Sequence, residues 1–283
     1  MIDPSTIIPL RVPSNWFVHR NNFYDLDAIE GENGDVSKEL KYAFNFELLI
    51  LEQLIDKGKN KEVDEEGYLV DFGWAPNAKI DGHYICTLIK ENRNNKKLSV
   101  KYKDRHLMQQ IINFCLMYVN DHNETPDNFE EIVEDITNSP FSNTYLKSYQ
   151  LLPLKIFAPI GVFENNFYDQ PPEKIFTKNN QLLLRLKRAN PNSQNGTFNW
   201  VFDSFEILLR LQQVEHKYWY HLQITHDEEE SALFEFQHQD RYIIQAVVNL
   251  CTEVIAYADV RDIIDDFRKR VAKTVQALEQ SST

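Results

Sequence analysis

The chain has 283 residues, of which 42% are hydrophobic, so it can form one large domain or two of ordinary size. Its formal net charge of −13 argues against binding to nucleic acid, which requires surplus lysine and arginine. The chain has no apolar run of the roughly 18 residues that span a membrane and too few cysteines for a disulfide framework. Its first five residues have neither a basic start nor an apolar core, so we expect no secretory signal. Together these features predict a cytoplasmic protein.

The first half of the chain has the pattern of strands followed by helices. Alternating apolar residues predict strands at 16–24, 42–46 and 68–74, and a hairpin formed by 83–90 and 97–103. The segment 48–51 fits a helix or a strand, and the charged segment 57–67 predicts a loop. Asp104 predicts a helix N-cap, because its carboxylate can accept backbone N–H groups of the first turn. That helix is expected to reach about Val119, and a shorter one is expected over 128–136.

The second half has the same order of elements. Strands are predicted at 181–187, 198–211, 218–225 and 232–238. The segment 189–196, rich in Asn, Pro and Ser, predicts a loop between the first two of these strands. Asp240 predicts the cap of a helix reaching Tyr257, and a longer helix follows over 260–278. Each half therefore predicts an α+β lobe, in which one or two C-terminal helices pack on one face of an antiparallel sheet of about four to five strands.

Short motifs recur in both halves in the same order. The motif Asn21, Asn22, Phe23, Tyr24, Asp25 returns as Asn165, Asn166, Phe167, Tyr168, Asp169, at a shift of 165 − 21 = 144. The segment 9–12 matches 153–156 at the same shift. Asp104 with Arg105, Gln109, Asn113 and Cys115 returns as Asp240 with Arg241, Gln245, Asn249 and Cys251, at a shift of 240 − 104 = 136. These matches predict a tandem duplication with repeats at 1–148 and 149–283.

The two capped helices carry equivalent polar stripes. Arg105, Gln109 and Asn113 are four residues apart and therefore lie on one helix face. The second helix repeats the stripe with Arg241, Gln245 and Asn249. One interpretation is a polar groove that contacts a partner. The other is a solvated face with contacts inside the lobe, such as an ion pair between Arg105 and Asp25.

The Asn-Asn-Phe-Tyr-Asp motif also has two interpretations. Asn and Asp favour turns because their side chains bond to nearby backbone groups, so the motif predicts a structural corner anchored by its Phe. The alternative is a binding site. Further candidates for partner contact are the acidic hairpin tip, Asp227, Glu228, Glu229 and Glu230, and three tryptophans that would act as exposed anchors, Trp16, Trp74 and Trp219.

The sequence has no standard catalytic or metal-binding motif. It contains eight glycines and neither a phosphate-binding loop nor a nucleophile elbow. Cys115 and Cys251 lie among large apolar residues, which predicts core positions. His216, His221 and His226 are five residues apart, a spacing that suits neither a helix face nor a strand face. We therefore expect no bound metal and no cofactor.

Charge and motifs together favour a non-enzymatic, acidic binding protein of the cytoplasm. One form of this hypothesis is an inhibitor or immunity-type protein that occludes a basic toxin or nuclease, because an acidic surface attracts a basic partner. A mimic of nucleic acid is a variant of the same idea. The alternative class is an enzyme with an active site between the lobes, for which Tyr24, Asp25 and Arg105 with their counterparts are the candidates. The abundance of Asn and Lys predicts an AT-rich bacterial or phage genome.

Overall fold

The computed structural model describes residues 6–57, 60–64, 66–90, 97–138, 151–194, 197–227, 229 and 231–281. The chain divides into two compact units, Met1–Ala158 and Pro159–Thr283. Both units are α+β, and all of their strand pairs are antiparallel. The boundary predicted from the sequence, between residues 148 and 149, lies outside the described residues.

The first unit is a meander of strands followed by two helices. Its strands are β1 (Trp16–Asn21), β2 (Leu49–Lys57), β3 (Asn60–Val63), β4 (Tyr68–Ala75), β5 (His83–Lys90) and β6 (Lys97–Tyr102). The sheet order is β1-β2-β4-β5-β6, and β3 pairs with the end of β2. Helices α1 (Arg105–His122) and α2 (Phe129–Asn138) follow. Helix α1 packs against β4, β5 and β6, so the core of this unit lies between the sheet and the helix.

The second unit is also a meander of strands followed by two helices, but it has five strands and a short helix after the first of them. Its elements are β7 (Ile160–Asn165), the short helix α3 (Pro172–Ile175), β8 (Gln181–Gln194), β9 (Thr197–Val214), β10 (Lys217–His226), β11 (Phe234–His238), α4 (Arg241–Tyr257) and α5 (Val260–Ser281). The strands are ordered β7-β8-β9-β10-β11. Helix α4 packs against β9, β10 and β11.

The registers of the first strand pair and of the last strand pair agree between the two units. In the first unit Asn21 pairs with Leu49, and the register shifts between Val18 and Arg20. In the second unit Asn165 pairs with Leu184, and the register shifts between Val162 and Glu164. The last strand pairs agree as well, since β5–β6 places Tyr84 opposite Tyr102 and β10–β11 places Tyr220 opposite His238. An irregularity at the same place in both meanders is informative, because bulges are specific features of a fold rather than defects.

Aromatic and aliphatic side chains fill each core. In the first unit Phe23 contacts Phe72 with ring centroids 4.5 Å apart, and Trp74 contacts Tyr84 at 4.7 Å. In the second unit Phe167, which is 0% exposed, contacts the ring of Tyr220. Each fully buried side chain of this size contributes about 1.5–3 kcal/mol through its removal from water. The phenylalanine of the repeated motif thus anchors the corner after the first strand of each unit.

The hairpin of β5 with β6 and the capped helices α1 and α4 confirm the sequence predictions. Three predictions of local structure are wrong. The segment 42–46 is not a strand, because Lys41–Phe44 forms a 3-10 turn that buries the adjacent residues Ala43 and Phe44. The segment 57–67 is not all loop, because Asn60–Val63 pairs with β2. The predicted loop 189–196 is wrong for its described part, because residues 189–194 continue the ladder of β8 and β9 as far as the pair Gln194–Thr197. Backbone pairing tolerates polar side chains.

Candidate functional site

The N-terminus of α1 joins the two repeated motifs of the first unit. The Asp104 carboxylate accepts hydrogen bonds from the backbone N–H groups of His106 and Leu107, which fixes Arg105 in the first turn. Arg105 Nε then donates to Asp25 Oδ1 over 2.5 Å, and Nη1 donates to Asp27 Oδ1 over 2.6 Å. Burial opposes the charge on Arg105, but the hydrogen bonds to Asp27 and Asp25 outweigh it and raise the pKa of Arg105. The same bond to Arg105 lowers the pKa of Asp27.

The second unit has an equivalent contact with a different set of partners. The Asp240 carboxylate caps α4 by accepting from the N–H groups of Tyr242 and Ile243. Arg241 Nη2 lies 2.9 Å from Asp169 Oδ1, and the Tyr242 hydroxyl donates to the same oxygen. In both units, therefore, the aspartate of the Asn-Asn-Phe-Tyr-Asp motif contacts the arginine that follows the helix cap. This geometry matches the intralobe interpretation of Arg105 and its counterpart.

The rest of the α1 stripe also bonds within the first unit. Gln109 Nε2 donates to the Pro9 carbonyl over 2.5 Å, and the Arg11 N–H donates to Asn113 Oδ1 over 2.8 Å. Asn113 is only 5% exposed. On α4, the equivalent residues Gln245 and Asn249 are half-buried. The stripe of α1 thus holds the N-terminal segment 9–11 against the helix.

That N-terminal segment pairs with its own sequence counterpart. Leu10 and Leu154 exchange two backbone hydrogen bonds of 2.9 Å, so each donates to the other. Nearby, Asn21 Nδ2 donates to the Ile156 carbonyl over 2.8 Å. Residues 10 and 154 are 144 apart, the shift that also separates the two Asn-Asn-Phe-Tyr-Asp motifs. Both residues of this pairing lie within the first compact unit, Met1–Ala158.

The Asn-Asn-Phe-Tyr-Asp motif forms a tight corner in both units. Asn21 Oδ1 accepts from the Phe23 N–H over 3.2 Å, and Asn165 Oδ1 accepts from the Phe167 N–H over the same distance. These are local side-chain turns of the kind that Asn favours. Burial raises the pKa of Tyr24, which is half-buried in the corner of the first unit.

The acidic hairpin tip and the tryptophans differ in their exposure to solvent. Asp227 and Glu229 are exposed, whereas Glu228 and Glu230 lie outside the described residues. Trp16 is 1% exposed and Trp74 is 5% exposed, so the prediction that they are exposed anchors is wrong. The ring of Trp74 packs against those of Phe44 and Tyr84. Trp219 is half-buried.

All three cysteines are buried. A hydrogen bond with Cys115 and burial raise the pKa of the Cys86 thiol, and burial alone raises the pKa of Cys251. The thiols of Cys86 and Cys251 therefore stay protonated at neutral pH, which makes these two residues poor nucleophiles. Among the residues that the structure describes, no group of three or more His, Cys, Asp or Glu side chains could hold a metal ion.

Sequence reasoning missed the most distinctive surface of the first unit, residues 25–47, here called the β1–β2 segment. In the first unit the Asn22 N–H donates to the Leu48 carbonyl, and in the second the Asn166 N–H donates to the Leu183 carbonyl. The chain between these closures is 25 residues long in the first unit (23–47) and 16 in the second (167–182). The first unit thus has 25 − 16 = 9 more residues here, close to the change of 144 − 136 = 8 in the shift between the two motifs. This change in shift was the signal in the sequence that could have revealed the longer β1–β2 segment.

The β1–β2 segment is acidic and folded onto the turn after β4. It has seven acidic and two basic residues, a net charge of −5. The Val36 N–H donates to the Ala78 carbonyl, and the Ala78 N–H donates to the Phe44 carbonyl, each within 2.8 Å. Three large apolar side chains of the segment are nevertheless exposed: Ile29 at 61%, Tyr42 at 47% and Phe46 at 58%.

The β1–β2 segment also surrounds a cavity of about 280 Å³. Its lining residues all lie between 31 and 41, and its charged ones are Glu32, Asp35, Lys38, Glu39 and Lys41. Neither Asp25 nor any other member of the repeated motif lines it. The volume is slightly below the range of about 300–1,000 Å³ of small-molecule sites, so the cavity suits a single long side chain.

None of the helices in the described part of the chain is long and apolar enough to cross a membrane. Comparison of the chain with protein-family models, with curated proteins and with solved structures gives no match. The candidate site therefore depends on its own geometry, and its most distinctive features are the acidic β1–β2 segment and the exposed apolar side chains within it.

Proposed function

We propose that this chain is a non-enzymatic, acidic binding protein of the cytoplasm whose partner is a basic protein. The single observation that supports it is the surplus of 43 acidic over 30 basic residues. Excess charge of one sign steers an oppositely charged partner toward the surface and raises the rate of association. A concrete version is an inhibitor or immunity-type protein that occludes a basic toxin or nuclease.

The distribution of ion pairs supports this reading. Several carboxylates bond to cations of their own unit, as Asp25 does to Arg105 and Glu206 does to Arg185. Glu30, Glu32 and Glu39 are exposed, and no cation among the described residues pairs with them. Carboxylates without an internal partner project their charge into solvent, where a basic surface would meet it.

We also propose that the two units arose by duplication of one α+β module. Support comes from the shared motifs, the matching strand registers, the register shift at the same place in both meanders, and the two caps at Asp104 and Asp240. In a duplicated frame, the places where the copies differ are the natural sites of specialised function. The β1–β2 segment is such a place.

A salt-dependent pull-down tests the proposed function. The full chain, immobilised, is exposed to a mixture of purified basic and acidic proteins at low and at high ionic strength. We expect selective retention of basic proteins at low salt and their release at high salt, since screening lengths fall from about 10 Å at 0.1 M to about 3 Å at 1 M. Equal retention of acidic and basic proteins would contradict the proposal. Mass spectrometry of proteins captured from bacterial lysate then identifies partner candidates.

A further inference from the structure

The geometry points to the β1–β2 segment as the docking surface for a basic protein, with the cavity between residues 31 and 41 receiving one arginine side chain of that partner. This inference deepens the proposed function and rests on it. The occupant is a protein segment that presents arginine next to an apolar side chain. The charge, the cavity and the exposed apolar groups of the segment each contribute to this choice.

Charge selects a cationic occupant. The β1–β2 segment has a net charge of −5, out of −13 for the whole chain, within 23 of its 283 residues. At the cavity, Asp35 already bonds Lys79 over 2.6 Å and Lys41 over 3.5 Å. Glu32 and Glu39 are exposed lining residues that no cation of the described chain pairs with. An incoming guanidinium would therefore meet two available carboxylates.

Arginine suits this cavity better than lysine. Its planar guanidinium carries five N–H donors and bonds carboxylates in a two-pronged geometry, whereas lysine offers a single strongly hydrated ammonium. Arginine also packs on aromatic faces, and Tyr42 lies immediately after the lining residue Lys41. One lining group opposes the occupant, because Lys38 is exposed and has no carboxylate partner among the described residues.

Exposed apolar side chains supply the anchors that charge alone lacks. Ile29, Tyr42 and Phe46 are each 47% exposed or more, and all lie within the β1–β2 segment. Large apolar groups on a polar surface mark protein contact sites, and aromatic ones are enriched among the residues that contribute most to binding. The backbone of Phe46 lies directly over Gly73 in β4, since a Cβ atom there would be 1.8 Å from the Phe46 carbonyl oxygen. A backbone that is already held against the sheet needs little further ordering on binding.

Three labelled peptides test the inference on the full chain. The first has three repeats of Gly-Arg-Leu, the second replaces each arginine by lysine, and the third replaces each by glutamate. Fluorescence anisotropy measures their affinities at low salt, and amide chemical shifts of the isotopically labelled protein locate the contact. We expect the arginine peptide to bind more tightly than the lysine peptide, the glutamate peptide not to bind, and the shifts to concentrate in residues 25–47.

Matched variants separate the docking surface from the charge of the protein as a whole. The pair Glu32→Gln with Glu39→Gln should weaken binding of the arginine peptide about twofold to thirtyfold, given about 0.2–1 kcal/mol for each exposed ion pair. Phe46→Ala should weaken it about fivefold, and Lys38→Gln should strengthen it. The control pair Glu130→Gln with Glu134→Gln removes the same charge from exposed positions of α2 and should change affinity by less than about twofold.

The outcomes distinguish the inference from the proposed function. The arginine peptide could bind with strong salt dependence while both double variants bind it equally well. The docking surface would then lie elsewhere and this inference would be overturned, but the proposal of a basic partner would stand. Equal binding of the arginine and glutamate peptides, or no binding of either, contradicts the basic partner itself. Thermal melts confirm that each variant is folded before its affinity is compared.

Discussion

Replacement of Asn113 by alanine tests whether the polar stripe of α1 is structural. The Arg11 N–H donates to Asn113 Oδ1 over 2.8 Å, and Asn113 is 5% exposed. Alanine removes this acceptor for the Arg11 N–H, and loss of one partner of such a hydrogen bond costs about 1–3 kcal/mol. The space that the amide vacates adds to this cost. We therefore expect Asn113→Ala to lower the free energy of unfolding by about 2 kcal/mol.

Denaturant unfolding followed by tryptophan fluorescence measures this change. Trp16 and Trp74 are buried in the first unit and report on the part of the chain that contains α1. The matched control is Asn120→Ala, the same chemical change at an exposed position of the same helix. Its effect should stay within about 0.5 kcal/mol, as is usual for surface substitutions.

The two substitutions together decide between the interpretations of the stripe. A structural Asn113 predicts a loss of stability with no specific loss of binding to the arginine peptide. If Asn113→Ala is as stable as Asn120→Ala, the hydrogen bond from Arg11 contributes nothing measurable and the structural reasoning is refuted. Weaker peptide binding at unchanged stability would instead favour the partner-facing interpretation.

Three further predictions follow from buried groups. Gly73→Ala should destabilise the first unit by about 1–3 kcal/mol and weaken peptide binding, because its Cβ would displace the backbone of Phe46; unchanged denaturation and affinity would count against this. Burial raises the pKa of Tyr84 and Tyr220 to about 12, so the folded chain keeps protons that the unfolded chain loses above pH 10. The contribution of these two tyrosines to the free energy of unfolding should therefore be fully present below pH 10 and decrease above it. Absorbance at 295 nm should show that two of the 13 tyrosines ionise later than the rest. The three buried cysteines should resist a thiol reagent at pH 8 until denaturant is added, and rapid labelling of the native protein would refute their burial.

Helix positions and caps follow from local sequence. Asp104 and Asp240 were recognisable as N-caps because the interaction that defines a cap spans only two or three residues. The hairpin of β5 with β6 was predictable for a similar reason, since its strands are close in sequence and alternate in polarity. The recurring motifs were visible as well, because they depend on sequence identity alone.

Contacts between distant residues decided the rest of the fold. The segment 42–46 alternates like a strand, but Phe44 packs against Trp74 with ring centroids 5.1 Å apart, and the chain curls into a 3-10 turn to reach it. The polar residues of 189–194 look like a loop, yet β9 offers them a continuous set of backbone partners. In both places the structure differs from the local propensity, because tertiary packing and backbone pairing contribute more to the free energy of folding than local propensity does.

The same division applies to the candidate site. The sequence by itself determined the acidic charge, the stripes on the capped helices and the motif that contains Asp25. The ion pair between Arg105 and Asp25 was one of two interpretations of the stripe, and the tertiary structure decided for it. Only the tertiary structure showed that Tyr42 and Phe46 are exposed while Trp16 and Trp74 are buried. The physical reason is that exposure and ion pairing depend on which distant segments cover a side chain, and composition contains no record of that.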